Sequence, residues 1–353
     1  MILIGGLSFL FFARLLTGDT RRRTLVAWTV VSALALATHY FSVFLVGAEG
    51  IWLLATTGNR RPVAAALGAL AAVQAALAPL LLHQRSLDLA DFIDDVPLGY
   101  RVARTPKQLL VGFDAPGEVA SAVVAGLLVA FAAWLVWTRG DDRERRAARI
   151  GLVVGAVVLV IPALAGPDYF DTRNVVVGWL PLAVAVAAGL GARGAGRAGL
   201  AAAAALTLVC GSTVVFVATN RTLQRDDWRG VAEALEPADA TPRAVVVSPS
   251  TAAVPLGYYA PQLEAMPGAG TAVREIDLVS MPLRRITQSR PGPPPRPADQ
   301  PPPAPGFELV EKRFGTTFTL LRYTAPAPVP VNPAGLVAMH VDTSRPAAVF
   351  VER

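Results

Sequence analysis

Cysteine is almost absent from this chain, with one residue, Cys210, in 353. A single thiol inside an apolar run excludes a disulfide framework, and no Cys/His spacing suited to a zinc site is present. Charge is scarce as well. Charged residues make up 16% of the chain against 53% hydrophobic, and the mean hydropathy of +0.47 is too high for one soluble domain. Such a composition implies an integral membrane protein with a soluble part attached. There is no Gly-rich phosphate loop and no G-x-S-x-G elbow, which excludes several classes of soluble enzyme. The net charge of +6 forms no nucleic-acid-binding stripe. It comes largely from arginine clusters between apolar runs, so it carries topology, and no nucleic-acid partner is expected. Residues 1–16 also lack the basic start and small-residue cleavage site of a cleavable signal peptide.

What is there is a series of apolar runs. Residues 2–16 form the first, ending at Thr17-Gly18-Asp19-Thr20-Arg21-Arg22-Arg23. Residues 24–57 are too long for one helix at roughly 20 residues per crossing, so two shortish helices are expected to meet at the polar break Thr38-His39-Tyr40. Further runs cover 63–82, 119–137, 150–165, 175–190 and 200–218. The expected fold class is an α-helical polytopic membrane protein of about eight transmembrane helices, spanning residues 1–219. A small C-terminal α/β extracytoplasmic domain, residues 220–353, follows it. Loops bearing Arg21–Arg23, Arg60-Arg61, 139–149 and 193–197 alternate with His39-Tyr40, 84–117 and 166–174. Placing arginine-rich loops in the cytoplasm puts the C-terminal region outside a plasma membrane.

The stretch Gly166-Pro167-Asp168-Tyr169-Phe170-Asp171-Thr172-Arg173-Asn174 bridges two of these runs. Asn174 is a candidate N-cap for the following helix, and Arg173 sets a fork-shaped cation beside that helix start. Arginine with a helix N-terminus suits phosphate. The competing reading is an interfacial arginine that snorkels to headgroups or pairs with Asp171. Glu49 is the one carboxylate lying well inside an apolar run, expected to be paired or protonated there.

After residue 220 the pattern changes. Residues 225–235 read as a short amphipathic helix, 243–247 as a β run, 252–259 as a helix and 273–279 as a strand. Residues 291–305 are a proline-rich linker. Residues 307–313 and 316–323 form a hairpin across Phe314-Gly315.

Three segments occur in order at matching topological places: Thr38-His39-Tyr40-Phe41, Gly166-Pro167-Asp168-Tyr169-Phe170 with Arg173-Asn174, and Arg225-Asp226-Asp227-Trp228-Arg229. Together they resemble bacterial polytopic glycosyltransferases of the GT-C class, the group with protein O-mannosyltransferase-like and aminoarabinose-transferase-like members. The resemblance implies transfer of a sugar from a polyprenyl-phosphate donor to a cell-envelope acceptor on the outer face. It places the donor at Arg173, Asn174, Asp168 and Tyr169, with His39 and Tyr40 on the same side of the membrane. Arg101, Arg104 and Lys107 would line an acceptor groove or face water and headgroups. The family carries its catalytic acid in a first external loop that has no counterpart ahead of Ile2, so an N-terminally shortened member is expected and no catalytic residue is assigned. The alternative is a non-catalytic membrane module that binds carrier lipid or scaffolds envelope assembly. No cofactor is implied, although a divalent ion beside the donor phosphate is compatible with the chemistry.

Overall fold

The computed structural model describes residues 1–19, 21–58, 60–86, 93, 96–165, 170–220, 223, 226–235, 242–280, 302–315, 317–339 and 346–352. The chain divides into two compact units, Met1–Val214 and Val215–Arg353.

The first unit is helical. In order it holds α1 (Ile2–Leu16), α2 (Arg22–Thr38), α3 (Ser42–Thr56), α4 (Arg60–Arg85), α5 (Leu98–Val111), α6 (Glu118–Arg139) and α7 (Asp142–Ala165). Then come α8 (Thr172–Val175), α9 (Trp179–Leu190) and α10 (Gly196–Thr219), whose last turn runs into the second unit. A 3-10 turn at Val176–Gly178 joins α8 to α9. Five stretches are helical, long and apolar enough to cross a membrane: Arg60–Gln84, Glu118–Arg139, Asp142–Leu164, Thr172–Leu190 and Arg193–Thr219. Ile2–Leu16 and Ser42–Thr56 are apolar but shorter. The polar break expected at His39 is present, because the backbone turns extended there and ends α2.

Between apolar helices in lipid, close packing must do what water exclusion does elsewhere. Gly151 and Gly155 lie one turn apart on α7 and let α9 approach. A Cβ on Gly151 would stand 2.3 Å from the Pro181 carbonyl oxygen, and one on Gly155 would stand 2.6 Å from Leu182 Cγ. On α9, a Cβ at Gly189 would come within 2.1 Å of the Ala132 carbonyl oxygen of α6. Elsewhere the core is large side chains, with Phe9, Phe12, Trp28, Leu36, Leu45 and Leu53 packed into one cluster. Inside it the fully buried Glu49 of α3 accepts hydrogen bonds from Ser8 Oγ of α1 at 2.6 Å and Trp28 Nε1 of α2 at 2.8 Å. Ser8 Oγ also lies 2.9 Å from Ser32 Oγ. One carboxylate thus ties three helices. Its partners are neutral donors, and no ion pair to it is present among the described residues.

The second unit holds α11 (Trp228–Leu235), β1 (Arg243–Ser248), α12 (Ala253–Tyr259), β2 (Glu264–Ala265), β3 (Thr271–Ser280), β4 (Glu308–Phe314), β5 (Thr319–Val331), α13 (Pro333–Val337) and β6 (Ala348–Glu352). The strands form one sheet in the order β2-β6-β1-β3-β5-β4. Only β1 and β3 pair in parallel. Alternation along the strands makes two apolar faces. Ala244, Val246, Ile276, Leu278, Leu321 and Tyr323 pack with Phe307 and Leu336 on one. Val245, Val247, Val279 and Leu320 pack with Val231 and Leu235 of α11 and Leu256 of α12 on the other. The Asp227 carboxylate starts α11 by accepting from Gly230 N at 3.0 Å.

On the α11 face, Arg243 and Arg322 converge on Asp277, at 3.1 Å and 2.9 Å. Arg243 also meets Glu275 and Glu352, while Arg322 meets Glu275 and Glu311. Both guanidinium groups donate to the Leu235 carbonyl, so the two cations also finish the C-terminus of α11.

The expected hairpin is present as β4 and β5, but β5 continues to Val331, well past the expected end at Tyr323. Its last part pairs with β3 through Val273, Ala272 and Thr271, and carries exposed Pro326, Pro328 and Pro330 at alternate positions. Residues 291–301 of the proline-rich linker lie outside the described residues.

Candidate functional site: an arginine cluster at the α7–α9 junction

The bridge begins, among the described residues, at Phe170, whose ring is 2% exposed. Its neighbour Asp171 caps α8: one carboxylate oxygen accepts from Arg173 N at 3.1 Å, and its carbonyl accepts from Asn174 N and Val175 N. Asn174 is therefore not the N-cap. It sits inside the first turn, three residues too late, because the backbone is extended at Asp171 and turns helical at Thr172, which leaves the free amides facing the Asp171 carboxylate. That correction changes the chemistry. The free end of the short helix is already occupied by the chain's own carboxylate, so a phosphate here would depend on side-chain cations.

Those cations come from α5. Arg101, Arg104, Thr105 and Gln108 recur at helical spacing and form one face of α5. Arg101 is 2% exposed and donates through Nη1 to the Phe170 carbonyl at 2.6 Å and through Nε to the Val96 carbonyl at 2.8 Å. Arg104 Nη2 reaches Asp171 at 3.2 Å and its guanidinium lies over the Tyr100 ring. Thr105 and Thr172 hydroxyls meet at 3.1 Å, and the Thr172 hydroxyl donates to Gln108. The expectation that Arg101, Arg104 and Lys107 line an open groove or face water is therefore corrected. Arg101 and Arg104 are turned inward to hold the bridge, since a buried backbone carbonyl and a buried carboxylate both require donors. Lys107 instead pairs with Glu118 and donates to the Phe113 carbonyl at 2.9 Å.

Arg173 is the exposed member of the group, with 58% of its side chain accessible and its Nε 3.7 Å from Asp171. His39 and Tyr40 are half-buried. The His39 ring accepts from Phe41 N at 3.3 Å and tilts against the Phe41 ring. Burial lowers the His39 pKa, and the positive charges of the N-terminal amine and of Arg173 act in the same direction. Asp168 and Tyr169 lie outside the described residues, as do Asp88, Asp91, Asp94 and Asp95. The geometry thus joins Arg173, Asp171 and Arg104 at one helix junction, with Arg101 on the neighbouring Phe170 carbonyl. The helical periodicity of Arg101, Arg104, Thr105 and Gln108 was the signal from which α5 was available in the sequence.

Comparisons with protein-family models, curated proteins and solved structures find no match to this chain.

Proposed function

We propose that the protein is a membrane glycosyltransferase that takes a sugar from a polyprenyl-phosphate donor and passes it to a cell-envelope acceptor on the outer face. The observation carrying this reading is the gathering of three guanidinium groups at one junction. Arg104 and Arg173 hold Asp171, and Arg101 holds the neighbouring Phe170 carbonyl. In this reading the apolar helices make about eight crossings, the arginine-rich loops face the cytoplasm, and the junction lies at headgroup level on the opposite side. Arg173 meets the donor phosphate, and His39 and Tyr40 contact the sugar or phosphate.

In the transfer, an acceptor hydroxyl oxygen bonds to the anomeric carbon while the bond from that carbon to the phosphate oxygen breaks. Polyprenyl phosphate leaves with the electron pair, and a fixed cation stabilises the charge that develops on it. The hydroxyl proton passes to a base. Asp171 is held by Arg104 and by the Arg173 amide, so its role is to orient the cations. That commitment favours, as a second reading, a non-catalytic module that binds the same carrier lipid.

Binding of a polyprenyl-phosphate sugar to the full chain in nanodiscs tests the proposal. Arg173→Ala should weaken binding tens-fold to about a hundredfold, the usual cost of a charge-assisted contact to phosphate. Thermal stability should hold, because the side chain is mostly exposed. Arg173→Lys should recover part of the affinity, since a point charge cannot reproduce the guanidinium fork. Unchanged binding by Arg173→Ala would remove the donor site. Binding without sugar transfer to envelope acceptors would select the module reading.

A further inference from the structure

A second feature runs along the same helices. Between α5, α6, α7, α9 and α10 lies a cavity of about 900 Å³, at the upper end of the size range of small-molecule sites. Its walls are almost wholly apolar, with small residues Ala133, Ala183 and Ala203 making room along its length. Leu152 and Leu200 line it and are themselves exposed, so the cavity opens toward whatever surrounds the apolar helices. One end is different. Arg149, near the start of α7, and Arg193, just after α9, both line it and both are exposed. The Arg149 guanidinium lies 5.2 Å from the centre of the Trp137 ring, another lining residue. Neither arginine is in an ion pair among the described residues. Glu144, on the turn before Arg149, is engaged by the backbone amides of Asp141 and Arg193.

We infer that this cavity is a binding site for an anionic glycerophospholipid, with its phosphate between Arg149 and Arg193 and an acyl chain along the apolar trough. The shape and the charge support each other. An apolar slot open to the side of a membrane helix bundle accepts a hydrocarbon chain, and two unpaired guanidiniums at its mouth select a phosphate-bearing head. Trp137 supplies the amphipathic ring typical of the headgroup level. The site is separate from the junction at Arg173. From Arg149 to the end of α7 the helix rises about 24 Å, at 1.5 Å per residue, and Arg173 follows that far end. The two phosphate positions therefore belong to different leaflets, and the lipid site does not depend on the transferase reading.

The experiment is native mass spectrometry of the full chain released from nanodiscs of phosphatidylglycerol mixed with phosphatidylcholine. A second set of discs carries added undecaprenyl phosphate. The parent should retain phosphatidylglycerol preferentially. Arg149→Ala with Arg193→Ala should reduce that preference by about fivefold for each arginine, at unchanged melting temperature. Ala203→Trp, which fills the trough and leaves both arginines in place, should reduce retention of any lipid. Arg173→Ala should leave all of this unaltered, so failure here and failure of the donor site are read separately. The inference is overturned if the parent shows no headgroup preference, or if the double variant keeps it. It is overturned equally if undecaprenyl phosphate displaces phosphatidylglycerol from the arginine pair, or if the protein is released as a lipid-free dimer.

Discussion

Glu49 in the helical unit and Asp277 in the C-terminal unit are both fully buried carboxylates, and the partners given to them differ in kind. Glu49 receives a serine hydroxyl and an indole N–H, both neutral. Asp277 receives two guanidinium groups that are shared with three further carboxylates. The surroundings explain the contrast. A slab of lipid-facing helices hydrates no second charge, so short neutral donors fix the geometry without adding one. The sheet unit has water at its margins, and long arginines can reach from there to both a buried acid and the open end of a helix. Lipid-side stability therefore rests on close backbone approach, and water-side stability on an apolar core clamped by ions.

The sharpest way to break this comparison is Arg243→Met. It removes the guanidinium on Glu352 and one of the two on Asp277, Glu275 and the α11 carbonyl, leaving Arg322 alone to hold those three. Breaking a buried pair in this way typically costs about 3–5 kcal/mol. Hydrogen exchange on the full chain should show β1 and β3 amides losing protection while α7 and α9 keep theirs. Equal protection in β1 before and after the change would mean that the ion network carries little of the unit's stability.

A smaller effect comes from pH. Burial, against the pull of Arg322, pushes the Asp277 pKa up to about 6 from its ordinary 3.8. The folded unit therefore binds this proton more readily than the unfolded chain does. The stabilisation from this group is present in full below pH ~4 and is lost as pH rises through ~6, at most about 3 kcal/mol in all. Denaturant unfolding followed across that window should show the loss in the parent, and Asp277→Asn should flatten it. Matching slopes in the two proteins would sink the idea.

Least costly should be changes at Glu49. Glu49→Gln keeps an oxygen for Ser8 and Trp28 and should be nearly neutral. Glu49→Leu leaves the Trp28 N–H unpaired and Ser8 with Ser32 alone, and should cost about 0.6–1.7 kcal/mol, the span measured for polar contacts between membrane helices. Thermal unfolding in detergent reads both. A Glu49→Leu penalty as large as that of Arg243→Met would erase the distinction between the two units.

Long uninterrupted apolarity made α4, α6, α7 and α10 legible in the sequence, because no other structure satisfies the backbone of such runs in lipid. The elements of the C-terminal unit were legible where β-branched residues run together, as in β1, or where the pattern alternates, as in β3. β6 was not read. Only five residues long, it takes its place beside β1 through pairing with distant sequence rather than through any local pattern. At the junction, Arg173 was placed at the start of a helix, but the cap was misread. Asp171 and Asn174 are both good capping residues, and only the direction of the chain entering α8 decides between them. The inward turn of Arg101 was hidden for a similar reason. A buried arginine is recognisable only once the carbonyl it serves, that of Phe170, is known to be buried beside it.

The three prolines near the end of β5 have a consequence for assembly. Pairing with β3 is interrupted after Thr324 and resumes at Val329, beyond the end of the β4 pairing, and Pro326, Pro328 and Pro330 are all exposed along this stretch. A strand from another molecule docking there would meet three positions with no N–H to offer. That stretch is closed to growth by strand addition. At the other end of the sheet the outermost strand, β2, is only two residues long. A sheet bounded in this way can stand at high local concentration without templating fibres.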